Sequence, residues 1–454
     1  MSQAVDARRP GRIVSRQYPG EPGHATGGGP TTITRRQLLQ LSGPATALGA
    51  LGAAESHAQT EEHVPATIRG LRPLTDGVEP ITVDEHRGRI ARAQVLLARA
   101  GLDALVLGPG SSLTYFTGVE WPLSERFFGT VLTRSGDPVW VTPAFENDRA
   151  LERIRLGSDV RTWEEDASPY GLLARILRER GATTGRIGIE ETMPFAFSDG
   201  IAREAPAARP ASGTVVTAGC RMVKDAHELA LMRRAAAITR RAHRAVLAAL
   251  VEGTTVDQAR TWCRTAHERL GVQGGALVLF GPDAAFPHGT AEPRTLQRGD
   301  VVLIDGGGRL HGYSSDITRT AVFGAPPTDR QRRLWDLVRK AQAAAFEAAR
   351  PGVECQAVDA AARKVIGDGG FGPGYRYFTH RLGHGIGLDG HEWPYMVGGS
   401  TTRLEAGMTF TDEPGIYIPG ELGIRHEDTL VVTEEGCENL GGSWSGPPED
   451  PAIP

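Results

Sequence analysis

The 454-residue chain has only four cysteines, Cys220, Cys263, Cys355 and Cys437, too far apart to form a Cys-x-x-Cys pair. That spacing excludes a zinc ribbon and a dithiol redox motif, and leaves buried, unpaired thiols as the expected state. No apolar run reaches the roughly 20 residues that cross a bilayer, so no stable membrane insertion is expected. Basic residues are not in excess. The formal net charge is -4, which gives no electrostatic footprint for nucleic acid. The first half also lacks a phosphate-cradling glycine loop and any cluster of metal-ligating side chains. What is present, 40% hydrophobic and 23% charged residues, is a globular composition with length for two or three domains.

Residues 1–33 are rich in Gly, Pro, Arg and Ser/Thr and read as disordered. Thr34-Arg35-Arg36-Gln37-Leu38-Leu39 then leads into a weakly apolar run, Leu41 to Ala54, and Ser56-His57-Ala58 offers a small-residue cleavage site. Together these make a signal peptide, and the paired arginines resemble a twin-arginine export signal. Residues 1–58 are therefore expected to be a disordered leader read by the twin-arginine export machinery. That machinery carries folded proteins, so a metal can be loaded before crossing. The expected location is periplasmic or secreted, with a cytoplasmic protein carrying a basic leader as the alternative.

Residues 59–80 read as a linker. Apolar residues at helical spacing (Ile90, Ala91, Val95, Leu96) predict a helix over 84–100 that ends before Gly101. A strand at 104–107, a hairpin across 129–142, helices near 146–156 and 171–180, and a strand at 186–190 follow. They make a small α/β domain over 81–217, expected to be structural or oligomerising. A long helix over 220–250, with Asp225 at its N-cap, and a second over 255–270 precede a strand at 276–280 and a loop holding His288. Helices over 330–350 and 356–367 and strands over 408–417 and 423–432 follow. The order helix, helix, strands thus occurs twice, over 220–323 and 331–432, which predicts a duplicated unit with pseudo-two-fold symmetry. Residues 443–454 carry no core pattern and read as a disordered tail.

Chemistry concentrates in the second half. The run Val301-Val-Leu-Ile-Asp305 reads as a strand ending in Asp305, with Gly306 and Gly307 as turn glycines at positive φ. Asp316 opens the next β-rich run. Alone, these are two solvated loop acids. Facing each other they repel, so one is protonated unless a cation lies between them. His384, Glu413 and Glu427 add an imidazole and two carboxylates in Gly-rich or strand-end contexts. Four carboxylates and one imidazole suit two divalent ions, and a set without thiolates favours Mn²⁺ over structural zinc. Two such ions roughly 3.5–4 Å apart acidify a bridging water. His243 and His267 fall on helices as core histidines, and Asp389, Glu392 and Asp428 read as solvated acids or, at best, neighbours of ligands.

The segments Asp305-Gly-Gly, Gly312-Tyr-Ser-Ser-Asp316-Ile-Thr-Arg-Thr, His384-Gly-Ile-Gly-Leu, Glu413-Pro-Gly-Ile-Tyr and Arg425-His-Glu427-Asp-Thr resemble the "pita-bread" metallopeptidases of family M24. The resemblance covers roughly 81–442. All five ligand positions match in type and order, as do His288, His380 and His391. An α/β domain ahead of them is similar to the Xaa-Pro aminopeptidase and prolidase branch. The resemblance implies an α+β chain with a pita-bread catalytic domain of duplicated ααβ units over 218–442, behind a smaller creatinase-like α/β domain. It implies two divalent metal ions, Mn²⁺ first and Co²⁺, Zn²⁺ or Fe²⁺ as alternatives. Asp305 would chelate one metal, Asp316 and Glu427 would bridge, and His384 and Glu413 would hold the other. Glu413 would relay a proton, His391 would hydrogen-bond the scissile carbonyl oxygen, and His288 and His380 would orient the substrate. Arg425 would fix Glu427 or meet a substrate carboxylate. The implied activity is hydrolysis of small peptides with proline at the second position by a metal-bridging hydroxide, in a homodimer, as an aminopeptidase or a dipeptidase. The fold also hosts dimethylsulfoniopropionate lyases, metal-free creatinase-like hydrolases and non-catalytic peptide-binding relatives.

Overall fold

Short apolar and β-branched runs build three larger sheets and a two-stranded one in the computed structural model, which describes residues 64–291, 293–442 and 446–450. The expected leader lies outside the described residues. The first sheet contains β1 (Ala104–Leu107), β2 (Gly129–Thr133), β3 (Val139–Pro143), β4 (Asp159–Trp163), β5 (Arg186–Ile189) and β6 (Arg209–Ser212). Its order is β4-β3-β2-β1-β5-β6. The all-apolar β1 is central and buried along its whole length, as a strand covered on both faces must be. A helix over Val83–Ala100 packs beside it, opened by a Thr82/Glu85 capping box and closed by left-handed Gly101.

The second sheet has β7 (Gln273–Phe280), β8 (Val301–Leu310), β9 (Tyr313–Ser314) and β10 (Ile317–Val322). Helices Ala226–Leu247 and Val256–Arg269 precede it. The third unit repeats this order. Helices Asp329–Ala348 and Cys355–Ile366 lead into β11 (Gly383–Gly385), β12 (Glu392–Met396), β13 (Thr409–Asp412), β14 (Gly415–Ile418), β15 (Leu422–Arg425), β16 (Asp428–Val432) and β17 (Cys437–Asn439). Strands β12-β11-β13-β16-β17 form one antiparallel sheet, and β14-β15 form a hairpin. The duplicated helix–helix–sheet architecture follows the sequence reading.

Several boundaries differ from that reading. Cys220 belongs to a separate helix, Thr214–Arg221, and Asp225 caps the next one through a capping box with Glu228. The expected linker is partly structured: Ala66–Arg69 is helical, Ile68 and Leu71 are buried, and the Thr67 hydroxyl donates to Ala245 O at 3.0 Å. Two buried aliphatic side chains, each worth roughly 1.5–3 kcal/mol, fix that segment. One apolar cluster runs from Ile68 through Leu97, Leu105 and Val216 to Met232 and Ile304, so the core continues across the expected boundary at 217. Residues 446–450 of the expected tail also dock. Val322 N donates to Pro448 O at 2.8 Å, and Glu449 pairs with Arg332. That contact covers the free edge of β10.

The glycines after Asp305 do not make the turn. Strand β8 continues through them to Leu310, with Asp305 in mid-strand, and the chain reverses at His311 (φ 47°) and Gly312 (φ 90°). The glycines serve close approach instead. Gly307 faces Gly275 and Gly308 faces Gly274 across β7, and a Cβ on Gly307 would stand 1.6 Å from Ser315 O. The methyl of Gly307→Ala therefore has no room unless β8 moves off Ser315. We expect this variant to lose about 3 kcal/mol or more of unfolding free energy. Chemical denaturation of Gly307→Ala should show it; a midpoint equal to that of the parent chain would refute the close-approach argument.

Candidate metal centre

Strand registry brings the predicted ligands together. Asp305 lies opposite Thr318 in the β8–β10 pair. Asp316 directly precedes β10. His384 is the middle residue of β11, Glu413 follows β13, and Glu427 precedes β16. All five line one cleft of about 170 Å³, with Pro287, His288, His380, Arg381, His391 and Arg425. Ligand atoms of Asp316, His384 and Glu427 lie within 4.8 Å of one another.

Three successive residues of β10 knit the two sheets around this cleft. The Thr318 hydroxyl lies 2.6 Å from Asp305 Oδ1 and 2.6 Å from Glu427 Oε2. Arg319, fully buried, donates to Glu427 O at 2.7 Å and to Asp428 Oδ1 at 2.8 Å. The Thr320 hydroxyl donates to Arg425 O at 2.7 Å. On the other side, Thr411 Oγ1 accepts from His384 N and donates to Glu413 Oε1, both at 3.1 Å.

The electrostatics are unbalanced. Thr318 has one hydroxyl proton for two carboxylates. Burial opposes ionisation of Asp305, but Arg425, donating to its Oδ2 at 2.5 Å, and Thr318 hold it at about 2. Asp316 and Glu427 are pushed well above the usual carboxylate range, first by burial and then by repulsion from neighbouring acids. Glu413 is raised to about 8, chiefly by burial. His384 Nδ1 lies 3.1 Å from Gly385 O, which assigns the proton to that nitrogen. The Nε2 lone pair then faces Glu413 Oε1 at 3.3 Å. Two acceptors at that distance, beside three more carboxylates, fit bound cations. The set is hard and oxygen-rich with one imidazole, as divalent metal ions require.

The histidines divide. His391 is exposed and stacks on His384, ring centroids 3.6 Å apart, and His288 is exposed at the rim. His380 is committed within the protein. Its Nδ1 donates to Arg381 O at 2.7 Å, and its Nε2 accepts from the Tyr417 hydroxyl at 2.7 Å. Tyr417 in turn accepts from Arg425 Nη1 at 2.8 Å. His380 thus lines the cleft with both ring nitrogens engaged within the protein. Arg425 fixes Asp305 directly, not Glu427.

Comparison with known proteins agrees with this geometry. The model of metallopeptidase family M24 matches residues 230–434, and that of the Creatinase/Prolidase N-terminal domain matches 89–223. A Mycobacterium tuberculosis protein named "Probable dipeptidase PepE" is 39% identical over 373 residues, covering 80% of this chain and 96% of its own. The chain belongs to metallopeptidase family M24. A Pyrococcus horikoshii protein named Xaa-Pro dipeptidase is 31% identical to this M24 chain over 364 residues, covering 79% and 98% of the two chains. Among solved structures, dipeptidase PepE from Mycobacterium ulcerans superposes with a TM-score of 0.74 at 36% identity, covering 80% of this chain and 98% of its own. A prolidase from Thermococcus sibiricus gives 0.72 at 30%, covering 78% and 96%. The chain is therefore an M24 metallopeptidase with a pita-bread catalytic domain behind a creatinase-like domain, and the family implies divalent metal ions.

Sequence reasoning missed Thr318, Tyr417 and Arg381 at the site of this metallopeptidase. Thr318 was within reach, since it stands two residues after Asp316. Tyr417 and Arg381 carry no local signal. Glu392 and Asp428 are buried rather than solvated, Asp428 beside the ligand Glu427, whereas Asp389 stays partly exposed. Glu392 is buried between Arg221 and Lys224, Asp389 pairs with Arg221, and Asp428 pairs with Arg319. These pairs tie elements together, and for buried Glu392 and Asp428 they take the charge that water would otherwise have solvated. His243 and His267 are buried helix residues, as expected. Thr318→Val keeps the shape and removes the shared donor. Supporting hydrogen bonds of this kind are worth about 10–100-fold in metal affinity. We expect Mn²⁺ binding to Thr318→Val, measured by calorimetry, to weaken by about that factor; unchanged affinity would show the hydroxyl to be dispensable.

Proposed function

We propose that this M24 enzyme hydrolyses the bond between an N-terminal residue and proline in small peptides, with Mn²⁺ as its metal. The observation that carries the reading is the convergence of the five ligands with exposed His391 and His288 on one cleft sized for a small peptide. The relatives named prolidase and Xaa-Pro dipeptidase support it. Asp305, Asp316, His384, Glu413 and Glu427 would hold two metal ions. When bound, such a pair acidifies a coordinated water and polarises a carbonyl. The rest falls to the chain's own groups. Glu413 accepts the proton of the attacking water and returns it to the proline nitrogen as the C–N bond breaks. His391 donates to the carbonyl oxygen as negative charge develops there. Thr318, Arg319 and Arg425 keep the carboxylates in place. The proline bond is a tertiary amide without an N–H, so it calls for a strong nucleophile and a shaped pocket.

Purified protein loaded with Mn²⁺ should release proline from an Xaa-Pro peptide. Asp316→Ala should abolish turnover, and metal analysis should find two equivalents in the parent chain. No turnover across an Xaa-Pro panel with Mn²⁺, Co²⁺, Zn²⁺ and Fe²⁺, or acrylate release from dimethylsulfoniopropionate in its place, would overturn this reading. The same proposal places the enzyme outside the cytoplasm as a homodimer, on the strength of Arg35-Arg36 and the family resemblance. Changing both arginines to lysine should leave the protein in the cytoplasmic fraction. Light scattering should give twice the chain mass; equal export of both forms and a monomer mass would remove these two elements.

A further inference from the structure

We infer that Arg221, a residue of the creatinase-like domain, is a positioning residue for His391. Its guanidinium grips the two acids that flank that histidine, and so places the imidazole that donates to the carbonyl oxygen. This rests on the role given to His391 above and gives the first domain a share in the reaction.

His391 closes the loop between β11 and β12, directly before β12. Its ring stacks on His384 and makes no hydrogen bond among the described residues. Stacking is weakly directional, so the backbone must set where the ring nitrogens fall. Asp389 stands two residues before His391 and Glu392 one after. Arg221 Nη2 donates to Asp389 Oδ2 at 2.6 Å and also to Glu392 Oε2. Its Nη1 donates to Ser112 Oγ at 3.1 Å. Ser111 Oγ donates to Asp389 Oδ1, and Lys224 Nζ donates to Glu392 Oε1 at 2.6 Å. Both oxygens of each acid are thus engaged. Within the loop, Gly387 N donates to Asp389 O at 3.0 Å and Asp389 N to Glu392 Oε2 at 3.4 Å.

Arg221, Lys224 and Glu392 are buried. A buried ion pair adds little net stability, because desolvation offsets the attraction, but its charge-assisted bonds are strong and directional. Two cations meet two carboxylates here, so what the network contributes is geometry. It has no slack. A Cβ on Gly387 would stand 2.6 Å from Glu392 Oε1 and 2.9 Å from Lys224 Cε. The segment that carries both cations is tied down in turn. Arg221 ends the helix Thr214–Arg221, and Lys224 N donates to Gly407 O at 2.8 Å. A donor to a developing oxyanion acts only within hydrogen-bond reach, and a misplacement of about 1 Å costs on the order of 100-fold. The first domain therefore enters the reaction through a side chain that holds the histidine's loop and does not line the cleft.

The test is a double-mutant cycle on Ala-Pro with Mn²⁺-loaded protein. Arg221→Met keeps the bulk and removes the grip. It should lower kcat about 10–100-fold, with KM within about twofold of the parent and metal content unchanged. Arg221→Lys, which puts one compact ammonium where a fork stood, should recover part of the loss. His391→Ala should lower kcat about 100–1,000-fold. Adding Arg221→Met to it should cost no more than about a further twofold, because the two residues act as a unit. Asp389→Ala, at a partly exposed position, should lower kcat about tenfold and gives the same reading where Arg221→Met fails to fold. A parental kcat in Arg221→Met or Asp389→Ala, or an equal loss with and without His391, would overturn the assignment. The second measurement needs no turnover. In hydrogen exchange followed by mass spectrometry, Arg221→Lys and Asp389→Ala should speed exchange over residues 386–392 and leave 409–413 and 427–432 at the parental rate. Faster exchange throughout the chain, or no change, would overturn the clamp. If no Xaa-Pro substrate turns over while the change in exchange is local, the peptidase reading fails and the clamp on the His391 loop stands.

Discussion

Four carboxylates forced into one small cleft set the terms for the rest of this structure. Two like charges about 4 Å apart repel by about 4 kcal/mol at an effective dielectric constant near 20. The chain compensates only part of this. Arg425 and the Thr318 hydroxyl stabilise Asp305, while Asp316, Glu413 and Glu427 stay poised against ionisation. The imbalance is specific: too few donors for the acceptors, and a histidine lone pair aimed at a carboxylate. Cations resolve both at once. Metal binding is then coupled to the docking of the two sheets, because Asp305 and Asp316 stand on one and Glu413 and Glu427 at the strand ends of the other.

Strand β10 carries a dense part of the seam between those sheets. Thr318, Arg319 and Thr320 each reach across to the segment around Glu427, through a side chain, a backbone carbonyl and a backbone carbonyl respectively. Glu427 N also donates to Thr318 O at 3.1 Å. The duplicated units are therefore joined by local groups beside the ligands, so metal geometry and sheet-to-sheet geometry cannot vary independently. The glycines of β8 serve the same end. They let Ser315 pass close over the strand, which brings Asp316 in beside Asp305.

The ligands were legible in the sequence because a metal site needs particular elements, and five carboxylate and imidazole positions in register with three histidines form a dense pattern. The duplicated helix–helix–strand order was legible from apolar periodicity. Partnerships across the chain were not. Glu392 is buried because Arg221 and Lys224 stand over it, and those lie 171 and 168 residues away. Gly306 takes the expected positive φ (156°), but within a strand and not a turn, and Gly307 serves close approach; the two uses of glycine look the same in one dimension. Residues 64–71 looked like a linker because two buried aliphatic side chains, Ile68 and Leu71, do not make a period.

The cleft divides its polar groups between the protein and what enters it. Arg425, Tyr417 and His380 form a closed relay: a guanidinium donates to a phenol, the phenol to an imidazole, and the imidazole to the carbonyl of Arg381. Each member is used up, so together they hold Asp305 at one end and the Arg381 backbone at the other. What remains open to the cleft is His288, His391 and the Arg381 guanidinium. A relay that ends at the Arg381 backbone links the ordering of the metal ligand Asp305 to the placement of Arg381.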